Sequence, residues 1–434
     1  MTQGPVIDFN VILLFGMILI FGYIAGRVAN LFKLPKVTGY IAAGILLEPS
    51  FLNVIPQKFI DHSTVISNFA LCVITYAIGG SLFFKRIRKL GNTIWVMTLF
   101  ESIITFLFIS AGLYLALPLL NRLTGMNLEP MYFLPLAVIA GSLGSPTDPT
   151  PTLAVKEEYK AEGPVTTTIL GIGAFDDAMG IIIFSLGMTV CTTLLGGAGQ
   201  GIGRTMVGAF AQVGFSVLVG VFFALFLLLF GRKVKDTGVL VVVILGALFA
   251  CFGVAESLKL DELLATMTMG CVVVNLAKDE ERYFISVREY LEEMVFVVFF
   301  VIAGAHLELD VLKSCLWIVL VFVVLRVAGK ILGSSAGAIL SGAQANVKKY
   351  TAFGLIPQGG IVVGLALLVK QAPSFTPISA ILLNIILGTT VLFEFLGPLF
   401  TEVALKRSKE VGSEAKVYHQ HVKKQHAQAW GGGK

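Results

Sequence analysis

Residues 141–151 read Gly141-Ser142-Leu143-Gly144-Ser145-Pro146-Thr147-Asp148-Pro149-Thr150-Pro151, in the middle of an apolar stretch over 131–154. Three prolines and two glycines at that place forbid an unbroken α-helix, because proline removes a backbone donor and clashes with the preceding turn. Each interruption strands up to four N–H and four C=O groups. At membrane depth such backbone survives only where it faces protein or a water-filled cavity. A second interruption, Gly354-Leu355-Ile356-Pro357-Gln358-Gly359-Gly360, sits inside the apolar stretch 351–370.

The surrounding chain is just as apolar. Of 434 residues, 56% are hydrophobic and 14% charged, and the mean hydropathy is +0.87. A soluble core stops growing near ~250–300 residues, so the composition excludes a soluble enzyme, a nucleic-acid binder and a disordered scaffold. Thirteen apolar stretches are read as spans: 8–27, 37–55, 64–84, 93–120, 131–154, 164–195, 204–230, 237–255, 263–277, 290–305, 314–341, 351–370 and 377–403. The predicted fold is an all-α membrane protein of 13 transmembrane helices. The first stretch lacks a basic n-region before it and a small-residue cleavage site after it, where Arg27 stands instead, and is read as a span, not a signal peptide. Five cysteines (Cys72, Cys191, Cys251, Cys271, Cys315) stand singly, with no ligand spacing for zinc and no disulfide frame.

Take spans 1–6 as one unit, span 7 as a linker and spans 8–13 as a second unit. The two interruptions then occupy the fifth place of each unit, and the units enter the membrane in opposite senses. Paired interrupted helices in inverted repeats point to a transport site at the bilayer midplane. Carbonyl ends of the half-helices attract cations, and amide ends tolerate an acid such as Asp148. Lys and Arg divide unevenly between alternate loops, seventeen against six, with seven more after residue 405. The positive-inside rule therefore sets the N-terminus outside and the C-terminus in the cytoplasm of a cell (inner) membrane protein. The end from about Lys406, with His419, His421 and His426, is read as a solvated tail.

Charges inside the spans single out the chemistry. Asp176 and Asp177 lie side by side in Gly173-Ala174-Phe175-Asp176-Asp177-Ala178. One charge at the bilayer centre costs ~2.5–3.5 kcal/mol on insertion scales, so a pair persists only with partners or a task. Neighbouring helix positions diverge by ~100°, so the two acids face different surroundings. Arg326 and Lys330, four residues apart in the eleventh span, share a face. Lys330 can lose its proton when desolvated and is the functional choice; a static ion pair is its bland alternative. Arg326 stays charged and is assigned as a structural counter-charge for Asp148 or another buried acid. Asp148 either ligates a cation or neutralises the helix ends at the interruption. Glu101 either lines an ion path or is a satisfied structural carboxyl. Glu394 is read as interfacial.

Several of these segments together resemble the monovalent cation:proton antiporter superfamily, the prokaryotic sodium/hydrogen exchangers. The resemblance rests on Gly39 through Leu47, Ser145-Pro146-Thr147-Asp148-Pro149, Phe175-Asp176-Asp177, Arg326 through Lys330 and Ile356-Pro357-Gln358-Gly359-Gly360. It implies a homodimer. Scaffold helices 1–3 (1–92) and 8–10 (236–312) would form the dimer, and core helices 4–6 (93–200) and 11–13 (313–405) would move. Helix 7 (201–235) links them, and 406–434 form the tail. It further implies that Asp177 binds the cation and carries protons, that Asp176 pairs with Lys330 when the cation is absent, and that Thr147 and Asp148 belong to the cation site or the crossing. The Thr-Asp-Pro run is similar to the electroneutral branch, whereas two aspartates with a lysine are similar to the electrogenic one; two protons per cation is the expectation. Gly173 stands where some members carry a hydroxyl ligand. The partners expected are Na⁺, Li⁺ or K⁺, protons and the lipid bilayer, with no cofactor and no nucleic acid. A K⁺/H⁺ antiporter is the first alternative. An intramembrane aspartyl protease is a remote one, because its two acids should come from different helices and face each other.

Overall fold

The computed structural model describes residues 10–412 apart from 33–35, 50, 53, 85–90, 126, 196–201, 278–279, 288–290 and 308. His419, His421 and His426 of the tail lie outside the described residues. The described chain is helical and contains no strand. Its first helices are α1 (Val11–Leu31), α2 (Lys36–Leu47), the short α3 (Gln57–Asp61) and α4 (Thr64–Ser81). They are followed by α5 (Asn92–Thr124), α6 (Phe133–Gly144), α7 (Thr150–Tyr159), α8 (Pro164–Leu195) and α9 (Ile202–Gly231). Next come α10 (Thr237–Ser257), α11 (Glu262–Leu276), α12 (Glu280–Val287), α13 (Glu293–Ala305) and α14 (Leu309–Ser314). The last are α15 (Leu316–Leu340), α16 (Ala345–Gly354), α17 (Ile361–Gln371) and α18 (Thr376–Arg407). Among the described residues, seven helices are long and apolar enough to cross a membrane, by length and composition.

The spans read over 164–195, 204–230, 237–255, 263–277 and 314–341 match helices to within two residues at either end. The stretch 37–55 does not: α2 stops at Leu47, before Glu48-Pro49, because a residue preceding proline is pushed out of the α region. The stretch 351–370 is the end of one helix and the start of another. α16 begins six residues earlier, at Ala345, and α17 starts only after the Pro/Gly run.

Two packing devices position the central helices. α15 lies against α5 along Gly329, Gly333 and Gly337. A Cβ at these positions would come within 3.0, 2.8 and 2.7 Å of the Cα atoms of Thr105, Glu101 and Met97. Small residues let helix backbones approach this closely in membranes, and that register brings Lys330 beside Glu101. The second device anchors α8, the helix of both aspartates. Glu410 is buried, and its carboxylate accepts from the Val165 and Thr166 amides (2.8 Å each) and from Thr166 Oγ1 (2.7 Å). An acid at a helix N-terminus meets the free N–H groups and the positive end of the dipole. Of the end read from Lys406 as solvated, Ser408 and Glu410 are buried against the protein, and the Gly412 amide donates to Tyr159 O at 3.0 Å.

Candidate ion-binding site

The interruptions meet. Between α6 and α7 the chain runs irregularly over 145–149, and between α16 and α17 over 355–360. The Asp148 amide donates to Pro357 O at 3.2 Å, Thr147 Oγ1 donates to Leu355 O at 3.2 Å, and Thr152 Oγ1 donates to Gly354 O at 3.3 Å. Two helix C-terminal ends, those of α6 and α16, thus approach one another with unsatisfied, partly negative carbonyls.

Arg326 resolves that conflict. It is fully buried on α15, and its Nε donates to Gly144 O at 2.9 Å. Nη1 donates to Ile356 O at 2.5 Å, and Nη2 to Pro146 O (2.9 Å) and Pro357 O (3.2 Å). Its outer face lies 4.5 Å from the ring centre of Phe393, a cation–π contact. The hydrogen bonds of Arg326 all run to carbonyls of the two interruptions, while the charges of the buried acids Glu101 and Asp176 act on it as well. The carbonyl partners could not be expected, because carbonyl ends carry partial charge and, unlike an acid, announce nothing in the sequence.

Lys330, one turn further on, is also fully buried. Its Nζ donates to Ser145 O, to Thr147 Oγ1 at 2.6 Å and to Asp176 Oδ2 at 3.1 Å. An ammonium has three N–H donors, and these three acceptors use them. Glu101 Oε1 is held as an ion pair with the same nitrogen. Asp176 receives a second bond from Ser102 Oγ at 2.7 Å. Lys330 therefore joins α5, α8 and the first interruption, with two carboxylates on one ammonium.

Asp177 takes no part in that knot. It belongs to a different stripe of α8, between Gly173 and Gly180 at helical spacings of four and three. A Cβ at Gly173 would lie 2.9 Å from Pro149 Cβ, and Gly180 abuts the ring of Pro146. The stripe on which Asp177 lies thus packs directly on the first interruption. Asp177 is close enough to Asp148 for the two carboxylates to repel each other. Its Oδ1 is buried with no hydrogen-bond partner. Asp148 is buried as well, just before the N-terminus of α7, where an acid is favoured by the dipole. Asp176, Asp148, Thr147, Lys330, Arg326 and Glu101 are thus brought together around the crossing, with Asp177 alongside.

Sequence reasoning missed three participants. Ser102 adjoins Glu101 but gave no signal of its own. Gln358, inside the second interruption, is fully buried with neither amide atom partnered. Glu394, read as interfacial, is completely buried and accepts from Thr38 Oγ1 at 3.0 Å. Its depth could have been inferred: it lies eighteen residues into a 32-residue helix.

A family model described as the transmembrane sodium/hydrogen exchanger matches residues 16–407. The chain belongs to this family. The exchanger is 23% identical over 372 residues to the Na(+)/H(+)-K(+) antiporter GerN of Bacillus cereus, covering 83% of this chain and 88% of that one. It is 22% identical over 416 residues to the K(+)/H(+) antiporter subunit KhtU of Bacillus subtilis, covering 91% and 93%. Its fold resembles the solved sodium proton antiporter MjNhaP1 of Methanocaldococcus jannaschii, with a TM-score of 0.73, 18% identity, and coverage of 92% of this chain and 98% of that one. These relatives are transporters, not enzymes, which leaves the protease alternative without support. In this exchanger, moreover, Asp176 and Asp177 sit on one helix and point to different neighbours.

Proposed function

We propose that this exchanger is a secondary active Na⁺/H⁺ antiporter in which a proton and a cation compete for Asp177. One observation carries the reading: Asp177 has an unpartnered buried oxygen on the stripe of α8 that packs on the first unwound helix segment, whereas its neighbour Asp176 is engaged by Lys330. Asp177 and Asp148 supply carboxylate oxygens, and Thr147 a hydroxyl, all hard ligands suited to a hard monovalent ion. When the cation is absent, Lys330 holds Asp176 and Thr147. Cation entry draws Asp176 and Thr147 away from the ammonium, which frees a proton-carrying group. Two protons then exchange for one cation, and the net charge is driven by the membrane potential at about 2.3 kcal/mol per charge per 100 mV.

Thirteen spans in two inverted six-helix repeats, with the scaffold and core divided as in the sequence reading, support alternating access by movement of the core. The homodimer and the orientation, with the C-terminus in the cytoplasm of the cell membrane, are part of the same proposal; the uneven loop charges support the latter. A K⁺/H⁺ antiporter is the second reading, favoured by the printed names of GerN and KhtU. The test is reconstitution into liposomes with an internal pH dye, pulses of Na⁺, Li⁺ and K⁺, and the voltage clamped by an ionophore. Proton movement on Na⁺ or Li⁺ pulses, with a rate that follows the imposed voltage, is expected. A response to K⁺ alone establishes the second reading, and cation flux without proton movement refutes both.

A further inference from the structure

Building on the antiport reading, we infer that Glu394 is a second cation ligand, which holds the transported ion between Asp148 and the end of the molecule that bears Lys36. Glu394 is 0% exposed, and beyond the bond from Thr38 its Oε1 has no hydrogen-bond partner. The charge bearing on it is that of Asp148, another carboxylate, which repels it. One turn earlier on α18, Thr390 is fully buried with an unpartnered Oγ1. One turn later, a Cβ at Gly397 would lie 2.6 Å from Pro357 Cγ. This face of α18 therefore lies on the second interruption, where Gln358 follows Pro357 with both amide atoms unpartnered.

A buried polar atom left unsatisfied costs about 1–3 kcal/mol, and folded proteins rarely collect several in one place. Here a carboxylate oxygen and a hydroxyl stand one turn apart on α18, and an amide oxygen follows Pro357, against which α18 packs at Gly397. A proton would neutralise Glu394 and leave the other two unanswered. A hard monovalent cation answers all three, because it brings charge and accepts oxygen ligands of each kind. Among the described residues no three His, Cys, Asp or Glu side chains gather as a metal-ligand set. The subsite is thus mixed in its oxygens, as befits an ion in passage. Among the described residues, the acids Glu101, Asp148, Asp176 and Glu394 are buried around the crossing beside two buried basic residues, Arg326 and Lys330, so a bound cation would offset part of the surplus negative charge.

Place gives the subsite its role. Thr38 is two residues after the start of α2, and Lys36 there pairs with the exposed Glu293 at 2.8 Å. Glu394 thus lies between the crossing and that end. α2 falls in the proposed scaffold and α18 in the proposed core, so the Thr38–Glu394 bond bridges the seam that a moving core must open. An ion on Glu394 Oε1 would draw the carboxylate's charge away from Oε2, to which the Thr38 hydroxyl donates, and weaken that bond.

The test compares full-length wild type, Glu394→Gln and Asp177→Asn in proteoliposomes, together with thermal shifts of the detergent-purified proteins on titration with Na⁺, Li⁺ and K⁺. Glu394→Gln keeps the shape and the acceptor for Thr38 but removes the charge. Its apparent cation affinity should fall about tenfold or more, as expected from losing one charged ligand, and the cation-induced thermal shift should shrink in parallel. Wild-type affinity and an unchanged thermal shift in Glu394→Gln overturn the inference, while a dead Asp177→Asn beside an active wild type leaves the antiport reading standing. If wild type itself shows no exchange, the antiport reading fails instead. If Glu394→Gln does not fold, Glu394→Asp decides. It retracts the charge by one methylene and should alter the preference among Na⁺, Li⁺ and K⁺; an unchanged preference overturns the inference.

Discussion

Replacing Lys330 by methionine removes the one ammonium that serves two acids. The side chain donates to Ser145 O, Thr147 Oγ1 and Asp176 Oδ2 and pairs with Glu101, all at full burial. Removing one partner of a buried ion pair costs about 3–5 kcal/mol, because the other charge is left uncompensated. At about 2–4 °C of melting temperature per kcal/mol for a large domain, Lys330→Met should melt on the order of 10 °C below wild type. Glu101→Gln alone leaves the Lys330–Asp176 pair intact and neutral, so its own cost should stay within about 1 kcal/mol. Combining the two removes one of the stranded acids, and the double variant should regain about 1–3 kcal/mol of what Lys330→Met loses. Thermal unfolding of the purified proteins by intrinsic fluorescence at neutral pH measures all three. A Lys330→Met protein that melts with wild type, or a double variant no better than Lys330→Met, refutes the shared-ammonium arrangement.

Arg326→Lys keeps the charge but cannot reach four carbonyls, since an ammonium offers three donors without the planar fork; hydrogen exchange should quicken at 144–148 and 354–357, and unchanged protection there would contradict the capping role. Glu410→Gln should lower the melting temperature by a few degrees, in keeping with about 0.3–2 kcal/mol for an acid at a helix N-terminus, and an unaffected melt would mean that the anchor of α8 contributes nothing. Asp261 caps α11 by accepting from the Leu264 amide at 2.7 Å. Burial pushes its carboxyl pKa above the ordinary value, against the pull of hydrogen bonds from Ser185 and the Leu264 and Leu263 amides. A raised folded-state pKa means that its contribution to stability is complete below about pH 4 and is lost as the pH climbs. Asp261→Asn should therefore gain melting temperature over wild type at pH 8 but not at pH 4; an equal difference at both would contradict this.

The helical architecture and the two interruptions were legible because Pro/Gly runs inside apolar stretches have one physical reading. The involvement of Asp176 and Lys330 was legible because charge inside such stretches is costly. The partner of Glu101 was not: it depends on the register of α5 against α15, set by a glycine stripe more than two hundred residues away. Nor could the carbonyl partners of Arg326 be read, because any residue type supplies a carbonyl. Glu394 was misjudged because the last helix runs four residues past the apolar stretch, to Arg407, and helix ends are the least legible feature of a pattern. Glu410 lay hidden because a cap formed across some 245 residues leaves no local motif.

The most direct measurement is cation flux driven by an imposed pH gradient in proteoliposomes containing Asp177→Asn, beside wild type at equal protein content. Asparagine keeps the volume and an acceptor but carries neither charge nor an exchangeable carboxyl proton. Flux should vanish although the variant purifies and melts like the parent. Flux retained at the wild-type rate would mean that protons and cations meet somewhere other than the buried Asp177 oxygen.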